Sequence, residues 1–171
     1  MMRWIGRVVA MLAALFSVAA CDSSGRPYED LRLAQLRAGV STDQDVIKLF
    51  GTPATVRLLE GGGKGLVYPL GPEGAHTLLI RIGADGRYAE REDLLSRANF
   101  TRVGAGMGAD EVIALLGPPG RKQPLALKQQ VAWEWRFLDG HETRMFVVMF
   151  DTAGRVVGTA IEDDPRRQGG G

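Results

Sequence analysis

Gly39-Val40-Ser41-Thr42-Asp43-Gln44-Asp45-Val46-Ile47-Lys48-Leu49-Phe50-Gly51-Thr52-Pro53 and Gly106-Met107-Gly108-Ala109-Asp110-Glu111-Val112-Ile113-Ala114-Leu115-Leu116-Gly117-Pro118-Pro119 are two versions of one stretch. They match from Val46/Val112 through Pro53/Pro119, with one extra residue near the start of the first copy. Internal self-similarity of this kind marks a repeated structural unit. Val46, Ile47, Leu49 and Phe50 fall on one side of a helix, as do Val112, Ile113, Leu115 and Leu116. Ser41 or Thr42 can cap the first helix, and Asp43 and Asp45 suit its first turn. Gly51 and Gly117 fit the left-handed position just past a helix end, and the prolines then stop the helix. Each copy predicts a short amphipathic helix with a hard stop. A preceding helix is expected at 28–36, with an equivalent near 93–99.

Strands follow both helices. Val131 to Leu138 alternates, with Val131, Trp133, Trp135 and Phe137 on one side and Glu134 and Arg136 on the other. Asp139-Gly140 reads as a hairpin turn, Glu142 to Phe150 as the next strand, and Arg155 to Ile161 as a third after the Ala153-Gly154 turn. In the first copy the corresponding strands are 66–68, 77–82 and 87–91, with a turn at Asp85-Gly86. The predicted fold is α+β, two tandem units of a helix plus a three-stranded antiparallel meander. Its helices are packed on one face of the sheet. Gly104-Ala105-Gly106-Met107-Gly108 lacks the Lys-Ser/Thr continuation of a phosphate loop and reads as a flexible approach to the second helix.

The N-terminus carries a different message. Arg3 and Arg7 give a basic start, Val8 to Ala20 is apolar and becomes small towards its end, and the chain's one cysteine, Cys21, follows Val18-Ala19-Ala20. This is the layout of a secretory signal with a small-residue cleavage site. The run is shorter than the roughly 20 apolar residues that span a bilayer. Val18-Ala19-Ala20-Cys21 resembles a bacterial lipobox, which implies acylation of Cys21 and anchorage in the cell envelope facing the periplasm. Outer membrane is the favoured side, while Asp22 resembles an inner-membrane retention signal. Removal of Arg3 and Arg7 from 21 basic residues, against 20 acidic ones, leaves a net charge of −1. There is no basic excess to neutralise phosphates, so nucleic acid is not an expected partner. A single cysteine forms no intrachain disulfide, and the fold must stand on its core. The expected organisation is signal 1–20, tether 21–28, first unit 29–98, second unit 99–163 and disordered tail 164–171.

The Gly-Met-x-x-x-x-Val-x-x-Leu-Leu-Gly-x-Pro helix at Gly106–Pro119, followed by antiparallel strands on a short lipoprotein, resembles the BamE (SmpA/OmlA) lipoproteins. Met149-Phe150-Asp151 to Gly154-Arg155-Val156 resembles that family's closing hairpin. Two copies in one chain depart from the single-copy pattern and are similar to the β-lactamase inhibitor protein, whose two units join into one curved sheet. The first resemblance implies a non-catalytic protein-binding role at the outer-membrane β-barrel assembly machinery. The second implies a periplasmic inhibitor or ligand-sensing protein.

No enzyme constellation is legible in the sequence. His76 and His141 lie far apart beside turns, with no clustered cysteine or carboxylate to complete a metal site, and are expected to be exposed. No Gly-x-Ser-x-Gly elbow occurs. No cofactor is expected. With a two-residue Asp139-Gly140 turn, Trp133 pairs with Phe146 and Val131 with Val148. The aromatic set (Val131, Trp133, Phe146, Val148, Phe150) then shares one face, the expected core. Glu134, Arg136, Met145, Val147 and Met149 share the other, an apolar, methionine-containing surface suited to a protein partner. A bulged turn would slip the register by one residue and regroup both sets.

Overall fold

The computed structural model describes residues 30–70 and 74–166. The signal 1–20, Cys21 with the tether 21–28, and the tail end 167–171 lie outside the described residues. A 3-10 turn at Leu33–Gln35 stands where the first helix was expected. Then come α1 (Asp43–Phe50), β1 (Thr55–Leu58), β2 (Lys64–Pro69), β3 (Thr77–Ile82) and β4 (Tyr88–Asp93). A short α2 (Arg97–Phe100) leads to α3 (Ala109–Leu116), β5 (Arg121–Leu125), β6 (Gln130–Asp139), β7 (Glu142–Phe150) and β8 (Val156–Asp163).

The fold is α+β, as expected, with tandem helix-plus-meander units. Each meander has four strands rather than three, in the order β1-β2-β3-β4 and β5-β6-β7-β8, all antiparallel. The extra strands are β1 and β5. The two sheets do not join into one curved sheet. Among the described residues no ladder links them, because the units meet through the end of α3 instead of edge to edge.

The same devices hold both units. Thr42 and Asp45 form a capping box on α1, and Glu111 accepts from the Gly108 amide at 2.7 Å on α3, where glycine leaves the other half of the box empty. The approach to each helix is pinned to the last turn of its own sheet. Thr42 bridges Arg87 and Gly108 bridges Arg155. Arg87 Nη1 donates to the Val40 carbonyl at 2.9 Å, and Arg155 Nη1 to that of Gly106 at 3.3 Å. Gly104–Gly108 is therefore a tied segment, not the flexible one expected: Gly106 N–H donates to Val156 O and Val156 N–H to Met107 O. Past each helix, the glycine carbonyl takes a side-chain donor from the second strand. Tyr68 OH donates to Gly51 O, and Trp135 Nε1 to Gly117 O, each at 3.1 Å.

α1 buries Val46 against Leu66, Tyr68, Leu78 and Ile80 on one face of the first sheet. α2 and α3 bury Phe100, Val112 and Leu116 against Trp135, Phe137, Phe146 and Val148 of the second. Phe100 stacks on Phe146 with centroids 4.2 Å apart and meets Phe137 edge-on at 4.7 Å. The other face of the first sheet carries Val67 and Leu79, buried with Leu94, and receives the end of α3. There Arg57 of β1 donates to the Ala114 and Ile113 carbonyls at 2.6 and 3.0 Å. These are among the last carbonyls of α3, which a cation satisfies and which the helix dipole makes electronegative. Arg57→Ala is expected to cost about 1 kcal/mol, since charged hydrogen bonds give 1.5–3 when fully buried and this one is partly wetted. Urea unfolding of the two proteins measures it.

Candidate partner-docking face

β6 and β7 position the predicted surface. Their register is Val131↔Phe150, Trp133↔Val148, Trp135↔Phe146 and Asp139↔Glu142. The two-residue turn is thus Gly140-His141, one position later than the Asp-Gly signal indicated. Gly140 takes φ +64° at the first central position and His141 has no positive φ, the arrangement of a type II′ turn. The pairing moves by an even number of residues, so both face sets survive. Val131, Trp133, Trp135 and Phe137 stand with Phe146, Val148 and Phe150 towards α2 and α3.

The reverse face holds the predicted docking residues together. Glu134 pairs with Val147, Arg136 with Met145, and Ala132 with Met149. β8 adds Gly158, Ala160 and Glu162 beside Met149, Val147 and Met145. None of the three apolar residues of the set, Met145, Val147 and Met149, belongs to the hydrophobic clusters that the helices close. They are not equally available. Val147 is only 7% exposed and forms a floor, while Met145 and Met149 remain half-buried. The Met149 Cε lies over the Gly158 backbone, where a Cβ would come within 3.3 Å.

The two charged members act differently from one another. Glu134 faces Arg121 loosely, at 3.8 Å. Arg136 is committed: its Nε donates to Asp164, which is 1% exposed, and its Nη2 reaches Thr143 Oγ1 at 3.5 Å. Burial pushes the Asp164 carboxyl up, but hydrogen bonds from the Arg166 amide, Arg136 and Thr143 outweigh it and hold the group below the usual aspartate range. The tail boundary expected at 163 is therefore corrected. Asp164 is a seated residue, because its carboxylate is the counterion of Arg136.

A cleft of about 340 Å³ opens beside this face, between the units. One wall holds His76 and Thr77, the other Trp135, Met145 and Asp164. His76, expected on the surface, has a side chain only 12% exposed and pairs through Nδ1 with Asp93 Oδ2. The other oxygen of Asp93 accepts from the amides of Thr77 and Leu95 at 3.2 and 3.0 Å. Sequence reasoning missed this pair, whose members are 17 residues apart and meet only because β3 and β4 pair at Leu78↔Asp93. His141 sits exposed in its turn. Among the described residues no group of three His, Cys, Asp or Glu side chains could hold a metal, and no helix is long and apolar enough to cross a membrane.

Neither a family model nor a curated protein matches the chain. Solved structures that resemble it include a chain described as an osmotically inducible lipoprotein, OsmE, at 26% identity and TM-score 0.33, covering 36% of this chain and 70% of that one. A DUF4309 family protein (YjgB) from Bacillus subtilis matches at 17% identity and TM-score 0.30, covering 76% of this chain and 83% of its own. A proposed β-lactamase inhibitor protein from Streptococcus mutans matches at 10% identity and TM-score 0.31, covering 79% and 98%. At these scores the likeness assigns neither family nor function.

Proposed function

We propose that this chain is a non-catalytic cell-envelope lipoprotein, acylated at Cys21, that docks on protein partners through the reverse face of its second sheet. One observation carries the reading: Met145 and Met149 flank Val147 on a sheet face that the helices leave uncovered, with Glu134 at its border. Flexible, polarizable thioethers adapt to a partner's surface, and a polar rim sets orientation. Arg136 is a positioning residue here, because Asp164 already holds its charge. His76 serves structure in this reading, since its carboxylate partner is spent on closing the β3–β4 corner. By the resemblance of the Gly106–Pro119 motif, the partners are components of the barrel-assembly machinery, and the anchor faces the periplasm from the outer membrane.

A second reading, an inhibitor or ligand-sensing protein of the periplasm, is favoured by the cleft between the units, whose volume lies at the lower end of the range for small-molecule sites. Capture from detergent-solubilised envelope, followed by mass spectrometry, separates the two. Barrel-assembly components support the first reading, and a soluble hydrolase supports the second. Met149→Glu is expected to weaken partner capture at least tenfold, the loss of about 1.4 kcal/mol or more that an interface hot spot shows, with an unchanged far-ultraviolet circular dichroism spectrum. Loss of the spectrum together with binding would make Met149 a core residue instead.

A further inference from the structure

The four outer strands of the two sheets are not protected alike. β1 is four residues long and carries Arg57, β4 carries Glu90, Arg91, Glu92 and Asp93, and β5 carries Arg121, Lys122 and Pro124. Short length, charge, proline and β-bulges are devices that keep a sheet edge from pairing with another chain. β8 has a bulge at its start, where Val156 and Gly158 pair with Phe150 and Met149 and Val157 is left over, and none of these devices along Gly158-Thr159-Ala160-Ile161 before it ends in Glu162-Asp163. Its first residue is occupied on the outer side, where Val156 exchanges hydrogen bonds with Gly106 and Met107. Beyond it, from Val157 to Asp163, no backbone partner lies on the outer side among the described residues. Val157 is 45% exposed, and Thr159 is exposed as well.

We infer that β8 pairs with β8 of a second copy, antiparallel, about a two-fold axis through Ala160. The Met107 segment and the bulge at Val157 fix where the regular open run begins, and pairing centred on Ala160 uses it from Gly158 to Glu162. Gly158 then faces Glu162 of the second copy, and Thr159 faces Ile161. No acidic residue opposes another, whereas an in-register parallel pairing would stack both acids on their copies. Directly opposed residues share a face in an antiparallel pair. The two sheets therefore become one sheet of eight strands, with both sets of helices on one side and both methionine-bearing faces on the other. This isologous contact closes on itself and adds no further copies. The pairing stands on the edge alone and holds whether or not the reverse face docks a partner.

The test uses the full chain, extracted from the envelope in detergent. Ala160→Cys places two thiols on the axis, where opposed Cβ atoms lie close enough for a disulfide to form with slight adjustment. Mild oxidation is expected to convert it to a species of twice the mass on a non-reducing gel, while the wild type, which controls for Cys21, and Leu127→Cys at an exposed loop tip stay single. Thr159→Lys added to Ala160→Cys is expected to abolish the cross-link by putting a charge into the edge, with an unaltered circular dichroism spectrum. Val157→Glu, which sets a like charge beside Glu162 and Asp163 of the second copy, serves the same purpose if Thr159→Lys disturbs folding. Absence of the cross-linked species, or its persistence in a folded charge variant, overturns the pairing.

Discussion

Gly117→Ala lowers the unfolding free energy by about 4 kcal/mol, and Gly51→Ala, at the equivalent place in the first unit, by about 2. Both glycines follow a helix with positive φ and extended ψ, +81° and −164° at Gly51 and +76° and −177° at Gly117. That region is almost closed to any residue with a Cβ and costs about 1–3 kcal/mol when forced. Around Gly51 there is open space, so the backbone term stands alone. At Gly117 a Cβ would lie 2.7 Å from Thr77 Cγ2 and 3.4 Å from Val67 Cγ1, both in the other unit. Overpacking of this kind adds about 1–3 kcal/mol. The same shift disturbs the bond from Trp135 Nε1, whose indole is 1% exposed and has no water to turn to. Thr77→Ser removes the offending methyl and is expected to restore part of the loss in Gly117→Ala but none in Gly51→Ala. Urea melts of wild type, the three single variants and the two double variants, read as two double-mutant cycles, measure the coupling between units.

Asp164→Asn is expected to cost about 2 kcal/mol at pH 7, below the 3–5 of a fully buried pair because Arg136 keeps some contact with water. The effect depends on pH in a defined direction. The folded carboxyl titrates below its ordinary value, so its contribution is fully present above the unfolded pKa of about 3.9 and is lost as pH falls through the folded value. Wild type and variant should differ in thermal midpoint between pH 5 and 7 and converge as the pH falls from about 3.9 through the folded value. A constant difference across that range would mean that the carboxylate charge is not what holds the segment after β8.

Both effects involve features only partly legible in the chain. The helices and their stops were legible because the signals are local: an apolar face, a capping residue, a glycine and a proline within fifteen positions. β6 and β7 were legible by alternation and by aromatic content. β1 and β5 were not, because Thr55–Leu58 is short and Arg121–Leu125 carries two cations and a proline. Each pairs on one side only, so its composition answers to solvent as much as to a core. The Gly140-His141 turn lies one residue beyond the Asp-Gly signal, because Asp-Gly advertises a type I′ turn whereas this hairpin uses the glycine at the first central position. The grouping of Glu134, Arg136, Met145, Val147 and Met149 on one face is kept, since a sheet face depends on parity alone. The His76–Asp93 pair, the Asp164–Arg136 pair and the Arg57 cap had no sequence signal, for each joins residues that only tertiary structure brings together.

The seat that the first sheet offers to α3 bears on the order of assembly. Ribosomes deliver Val67, Leu79 and Leu94 well before Ala109–Leu116, so the leading half spends an interval with a bare greasy flank. Until the trailing half arrives, that flank is what a chaperone would grip, and the docking of α3 is what releases it. A gene truncated after the first repeat would consequently yield an aggregating product instead of a smaller working one.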